Sequence, residues 1–216
     1  MVEFAKLSGS GNDFICIDGR DGQFDDVLRS KERLAHFART LCPRGLGVGA
    51  DGVVFAVRPQ DGRQADLGAR FLEPDGSEAE LCGNGSACFT RWAVENRWVS
   101  AREVRIQTPS GIARGREDVD RYIHVCIPTP EKGTGTFWAK PPSGLPGKTY
   151  LSPFLPVRVR VRSGDILKVY FLIQDDGTIV KVCLESVVTF LYTGTLHPEL
   201  AARALTAPAP DSQAAR

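Results

Sequence analysis

The sequence has no apolar run approaching the roughly 20 residues that a membrane-spanning helix needs. It has no surplus of either charge: 27 Lys and Arg face 26 Asp and Glu, a formal net charge of +1. That balance builds no field for nucleic acid or for an anionic membrane, so neither is expected as a partner. Paired-cysteine spacing is missing too. The six cysteines, at 16, 42, 82, 88, 126 and 183, contain no C-x-x-C and suggest no disulfide framework. They are expected to be mostly reduced, packed thiols of a cytoplasmic protein. The first residues lack the charged start, apolar stretch and small-residue cleavage site of a signal peptide. The glycine-rich loop at 45–52 lacks the Lys-Ser/Thr ending of a phosphate loop and does not fit the dinucleotide fingerprint. No internal repeat is visible.

What is present is the composition of a folded chain: 216 residues, 42% hydrophobic and 25% charged, enough to bury a core. Phe4–Lys6 and Phe14–Ile17 read as two short strands around the turn Ser8-Gly9-Ser10-Gly11-Asn12-Asp13. Leu34, Phe37, Ala38 and Leu41 recur at helical spacing, with Ser30 as N-cap and a stop before Pro43. The loop at 45–52 leads into a strand at Val53–Val57, and another strand at Ala69–Leu72 precedes the turn Pro74-Asp75-Gly76. A second helix is predicted from Gly85 to about Asn96, followed by strands at Val104–Gln107 and Tyr122–Ile127. This order suits an α+β fold with helices packed on a sheet or inside a curled one. Residues 129–156 are dense in Pro and Gly and read as a linker. Strands are expected again at Val157–Val161, Leu167–Ile173, Ile179–Leu184 and Val187–Tyr192, with a hairpin turn at Asp175-Asp176-Gly177. The tail, 201–216, reads as a short helix or frayed end.

The segment that carries most chemistry is Asp75-Gly76-Ser77-Glu78-Ala79-Glu80-Leu81-Cys82-Gly83-Asn84-Gly85. Cys82 directly precedes a predicted helix, where free backbone N–H groups and the positive end of the dipole gather. That setting is expected to lower the thiol's pKa, and the same N–H groups can hold a carboxylate. A thiolate beside a carboxylate cradle can take the α-proton of an amino acid. Taken alone, Cys-Gly-Asn-Gly fits a buried cysteine ahead of a turn and helix cap better than a site. Asn12 could bind a substrate carboxylate or amine, or, the better reading in isolation, stabilise its own turn. The loop at 45–52 reads mainly as the entry to its strand.

Together and in this order, Gly11-Asn12-Asp13-Phe14, Gly49-Ala50-Asp51-Gly52, Asp75–Glu80 with Cys82-Gly83-Asn84-Gly85, and Thr108-Pro109-Ser110-Gly111 resemble the diaminopimelate epimerase family. The resemblance covers residues 1–130 and resumes more loosely at 157–196. It implies a diaminopimelate epimerase-like fold: one complete domain of curled sheet around a helix at 1–128, and a truncated second domain, its remnant and closing strands at 157–200. It implies epimerisation at the α-carbon of LL- or meso-diaminopimelate, on the route to lysine, by two thiols with neither a cofactor nor a metal. By the same resemblance Cys82 is the catalytic thiol, and Asn12, Gly83 and Asn84 bind the amino-acid substrate. The family's second thiol segment is not found: Cys126 and Cys183 lie in strand-like runs and read as core thiols. Glu73 stands where the family commonly has an Asn, and Ala87 where it usually has an Arg. The alternative is a non-catalytic relative that binds an amino acid or pairs with a complete subunit. The face left by the missing half suggests association as a homodimer.

Overall fold

The computed structural model of the chain describes residues 1–128, 156–161, 164–173 and 179–206. The elements run β1 (Glu3–Gly9), β2 (Asn12–Asp18), α1 (Asp25–Arg29), α2 (Lys31–Leu41), β3 (Gly52–Val57), β4 (Leu67–Leu72), β5 (Glu78–Ala79), α3 (Gly83–Glu95), β6 (Glu103–Thr108), β7 (Gly111–Glu117), β8 (Tyr122–Ile127), β9 (Val157–Arg160), β10 (Ile166–Ile173), β11 (Ile179–Thr195) and α4 (Pro198–Leu205). Strands β1-β2-β3-β4-β6-β7-β8-β11 are paired in that order, and β11 pairs back to β1, closing an eight-stranded ring. β10 and β9 extend the sheet outward from β11, and β5 pairs β4 off the ring. Helix α3 runs inside the ring and contacts every strand of its wall.

Alternation along the strands produces this arrangement. Leu7, Phe14, Cys16, Val54, Ala56, Phe71, Ile106, Ala113, Ile123, Val125 and Val188 pack with Ala87, Cys88, Phe89, Trp92 and Ala93 of α3 in one cluster, the two-residue period of strands facing a helix. Burying a side chain such as Phe89 contributes about 1.5–3 kcal/mol, so the interior holds the helix strongly. Ile15, Ile17, Val53 and Phe55 point the other way and pack beneath α1, α2 and α4 with Val27, Leu34, Phe37 and Ala204. β2 and β3 are therefore buried on both faces, which is why Phe14–Ile17 and Val53–Val57 read as continuous apolar runs.

The helix predicted from Leu34, Phe37, Ala38 and Leu41 forms as α2, its Ser30 hydroxyl accepting the Arg33 N–H. Three features differ from the sequence reading. β7 is a strand without an apolar stripe: its inward positions are Ala113, Gly115 and Glu117, and a Cβ on Gly115 would lie 1.9 Å from Thr90 Oγ1 of α3. A small inward face is what a close helix requires. The strands expected at 179–184 and 187–192 are one strand of 17 residues. Its first half pairs β8 and β10, and its second half pairs β1. Lastly, Cys126 and Cys183 are not separate core thiols but form a disulfide. They face each other across the β8–β11 register, a pairing 57 residues apart in the chain that no local spacing announces. The hairpin turn expected at 175–177, nearly all of the linker and the tail beyond 206 lie outside the described residues. Among the described residues no helix is long and apolar enough to cross a membrane.

Candidate active site

Three segments meet at one rim of the ring, where α3 begins. β1 and β2 are joined through Ser10 and Gly11, whose φ values of 52° and 88° are those of a tight hairpin turn. The turn delivers Asn12 to the first position of β2. Facing it, Cys82 caps α3 in an extended conformation, and its Sγ accepts the Gly85 N–H at 3.3 Å. Asn84, the second residue of the helix, donates through Nδ2 to Asn12 Oδ1 at 2.8 Å. Cys82, Gly83, Asn84 and Asn12 are thus brought together from positions up to 72 residues apart.

A charged bracket that the sequence reading did not single out holds Asn12 from behind. Asn12 Nδ2 donates to Asp51 Oδ2 at 3.2 Å, and the Asp13 N–H donates to the same oxygen at 3.1 Å. Asp51 N–H donates in return to Asp13 Oδ1 at 3.1 Å. Arg44 bridges both carboxylates, at 2.7 Å to Asp13 and 3.1 Å to Asp51. Buried Lys6 pairs with Asp13 at 3.0 Å and donates to the Gly49 carbonyl. Burial alone would raise the Asp13 carboxyl, but hydrogen bonds and charge from Arg44 and Lys6 hold it down at about 2. Gly49, at φ 82°, lets the loop turn beside the Arg44 side chain. The signal for this bracket lay in the Gly-Asn-Asp and Gly-Ala-Asp-Gly segments, each of which supplies one aspartate.

The Cys82 thiol departs from the expectation of a lowered pKa. Burial pushes it up, the Gly85 and Asn84 N–H groups oppose this, and the Glu73 carboxylate adds to the rise. A helix start supplies the expected N–H groups, but exclusion of water outweighs them. Glu73 itself is exposed in the turn where its carbonyl accepts the Gly76 N–H. Ala87 is buried in the ring interior. Cys16 and Cys88 are fully buried, with thiols pushed far up by burial, as core thiols are. Burial also pushes the Cys42 thiol up, to about 12.

The remaining motif supports the approach to Cys82. Thr108 Oγ1 donates to the Gly111 carbonyl at 2.9 Å, and the Ser110 N–H reaches the Glu80 carbonyl at 3.4 Å. Over the helix start lies Leu184 of β11, 2.4 Å from where a Cβ on Gly83 would stand. Glycine at 83 therefore lets β11 close down on the first turn of α3. Among the described residues no three His, Cys, Asp or Glu side chains are grouped to hold a metal ion.

The fold is shared with solved isomerase structures. It resembles methylitaconate-delta-isomerase with a TM-score of 0.57 at 17% identity, over 89% of this chain and 93% of that one. It resembles a probable proline racemase from Agrobacterium radiobacter K84 with a TM-score of 0.55 at 13% identity, over 92% and 93%. The family comes from sequence: residues 4–121 match the diaminopimelate epimerase family model, and the chain belongs to that family. Relatives include the diaminopimelate epimerases of Archaeoglobus fulgidus, 41% identical over 51% of this chain and 37% of that protein, and of Methanococcus aeolicus, 32% identical over 75% and 53%. The chain spans about half, or less, of the length of these relatives.

Proposed function

We propose that the chain is an amino-acid epimerase that moves the α-proton of diaminopimelate, LL to meso, in lysine biosynthesis in the cytoplasm, without a cofactor. The observation that carries this reading is Cys82 at the N-cap of α3, with Asn12 and Asn84 hydrogen-bonded to each other alongside it. An α-proton leaves only if charge developing toward the substrate carboxylate is stabilised. The Gly83 and Asn84 amides at the helix start, with the positive end of the dipole, supply that stabilisation. The asparagine pair, braced by Asp51, orients the polar groups of the substrate. A thiol kept neutral by burial is the form that delivers a proton. The return step needs the thiolate, which the Gly85 N–H directed at the sulfur stabilises.

A stereocentre inverted in one bound pose needs an acid or base on each face. Cys82 supplies one, and a second copy of the chain is proposed as the partner that completes the site. Exposed Val187, Leu191 and Tyr192 on β11, with Val159 and Ile166 on the neighbouring strands, offer the apolar surface for that association.

The test is incorporation of solvent deuterium into diaminopimelate by the pure protein, read by proton NMR, with its mass in solution read by light scattering. Exchange is expected from a dimer. Cys82→Ser should cut it by about 10²–10⁴ while leaving thermal stability intact, since serine is a favoured N-cap. Absence of exchange from well-folded wild-type protein would overturn the reading.

A further inference from the structure

The Cys126–Cys183 disulfide takes no part in the site above. It lies on the outer wall of the ring, in a groove of about 620 Å³ between β6, β7, β8, β10 and β11. Both cysteines are half-exposed there. The strand register explains what surrounds them. Arg114, Cys126, Cys183 and Tyr170 stand side by side across four neighbouring strands. In the next row Arg116, His124, Glu185 and Lys168 do the same.

The charge along this groove is lopsided. Arg114, Arg116 and Lys181 line it, and Glu103 is the single carboxylate in its lining. Glu185, buried in the next row, is already engaged: Lys168 donates to one oxygen and Tyr170 to the other at 2.6 Å. The Arg114 side chain is exposed and makes no ion pair or side-chain hydrogen bond among the described residues. A guanidinium left open beside a sulfur–sulfur bond serves two purposes. It attracts a carboxylate to the groove, and it stabilises negative charge on a departing sulfur. Disulfides in the reducing cytoplasm, where this family's chemistry was placed above, are typically transient or redox-sensing rather than structural.

We propose that this groove binds small carboxylate-bearing thiols and that the Cys126–Cys183 disulfide is a modification site for exchange with them. The thiolate of the bound molecule attacks one cysteine sulfur. A new S–S bond forms between the two, the old one breaks, and the other cysteine leaves as a thiolate that takes a proton from water. A second thiolate then displaces the small molecule as its own disulfide. Two thiols have been oxidised to one disulfide, and Cys126 and Cys183 are both reduced. A redox role for the disulfide rests on the cytoplasmic placement made in the isomerase reading, but the exchange itself uses no residue of the Cys82 site, so its failure would leave that reading standing, and loss of isomerase activity would leave the exchange measurable.

The experiment uses the full chain purified without reductant. Peptide mapping under non-reducing conditions should first recover Cys126 joined to Cys183. Recovery of both as free thiols would overturn the proposal. The oxidised chain is then treated with 3-mercaptopropionate, 2-mercaptoethanol or cysteamine, with rates compared per thiolate to remove differences in thiol pKa. The mixed disulfide at Cys126 or Cys183 is followed by mass spectrometry. The anionic thiol should react about tenfold or more faster than the neutral one, and the cationic thiol slowest. High salt should erase the order in the wild-type chain, and Arg114→Ala with Lys181→Ala should erase it at low salt. Equal rates for the three thiols, or an order indifferent to both salt and the substitutions, would overturn the proposal.

Discussion

Asp13 shows how the site and the stability of the fold share residues. Its carboxylate joins Lys6, Arg44 and the Asp51 loop, and against burial Arg44 and Lys6 hold its pKa at about 2, below the ordinary 3.8. A lowered carboxyl contributes stability that is fully present above its unfolded pKa and is lost as pH falls through the folded one. The contribution is about 2 kcal/mol. Asp13→Asn should therefore lower urea-derived stability near neutral pH by about 2 kcal/mol or more, since buried Lys6 loses its partner. It should also flatten the fall of stability between about pH 4 and pH 2. At this scale the sequence told much. Cys82, Gly83, Asn84 and Asn12 were singled out from motifs as candidates, and the structure brings them to one place. Water exclusion was not readable, so the direction of the Cys82 shift was reversed. Nor was the bracket of Lys6 and Arg44, because a charge finds its partner through folding and not through spacing.

At the scale of elements, the contact between α3 and β7 sets how tightly the wall fits its helix. Thr90 Oγ1 and Cβ would stand 1.9 and 2.8 Å from a Cβ on Gly115. Gly115→Ala should cost about 1–3 kcal/mol in chemical denaturation, since either the strand or the helix must move. Gly62, in open space with nothing within 4 Å, is the matched control, and Gly62→Ala should leave the midpoint nearly unchanged. The helices α2 and α3 were legible because apolar residues at helical spacing mark a helix buried on one side or inside a wall. β7 was not, because the closeness of α3 selects glycine and a paired Glu117 where a strand's apolar face would otherwise be. A pattern erased by packing cannot be read before the packing is known.

For the whole molecule, the decisive feature is that residues 1–128 supply only seven of the ring's eight strands. The motif-bearing stretch looks self-sufficient as a sequence, yet its wall is closed by β11 pairing both β8 and β1. Without β11 those two strands become open edges and the helix start loses Leu184. A chain ending at residue 128 should therefore aggregate or show no cooperative thermal transition by circular dichroism, whereas the full chain melts cooperatively. A monomeric, cooperatively melting fragment would show that the eighth strand is dispensable. The α+β character was visible in the order of elements. The resemblance implied closing strands at 157–200, but not that one of them completes the first domain's own ring, since the pairing of Glu3 with Thr195 joins stretches with no local mark of their meeting.

That closure has a consequence for how the protein is made. The strand that seals the cylinder is translated after all seven of its fellows, so a nascent chain on the ribosome holds α3 in an unsealed trough until residue 195 has emerged. During that interval the apolar lining and two bare strand edges are open to solvent, the condition in which growing polypeptides misassociate. Slow synthesis, or a scarcity of chaperones that shelter such intermediates, should harm this chain more than one whose core is finished early.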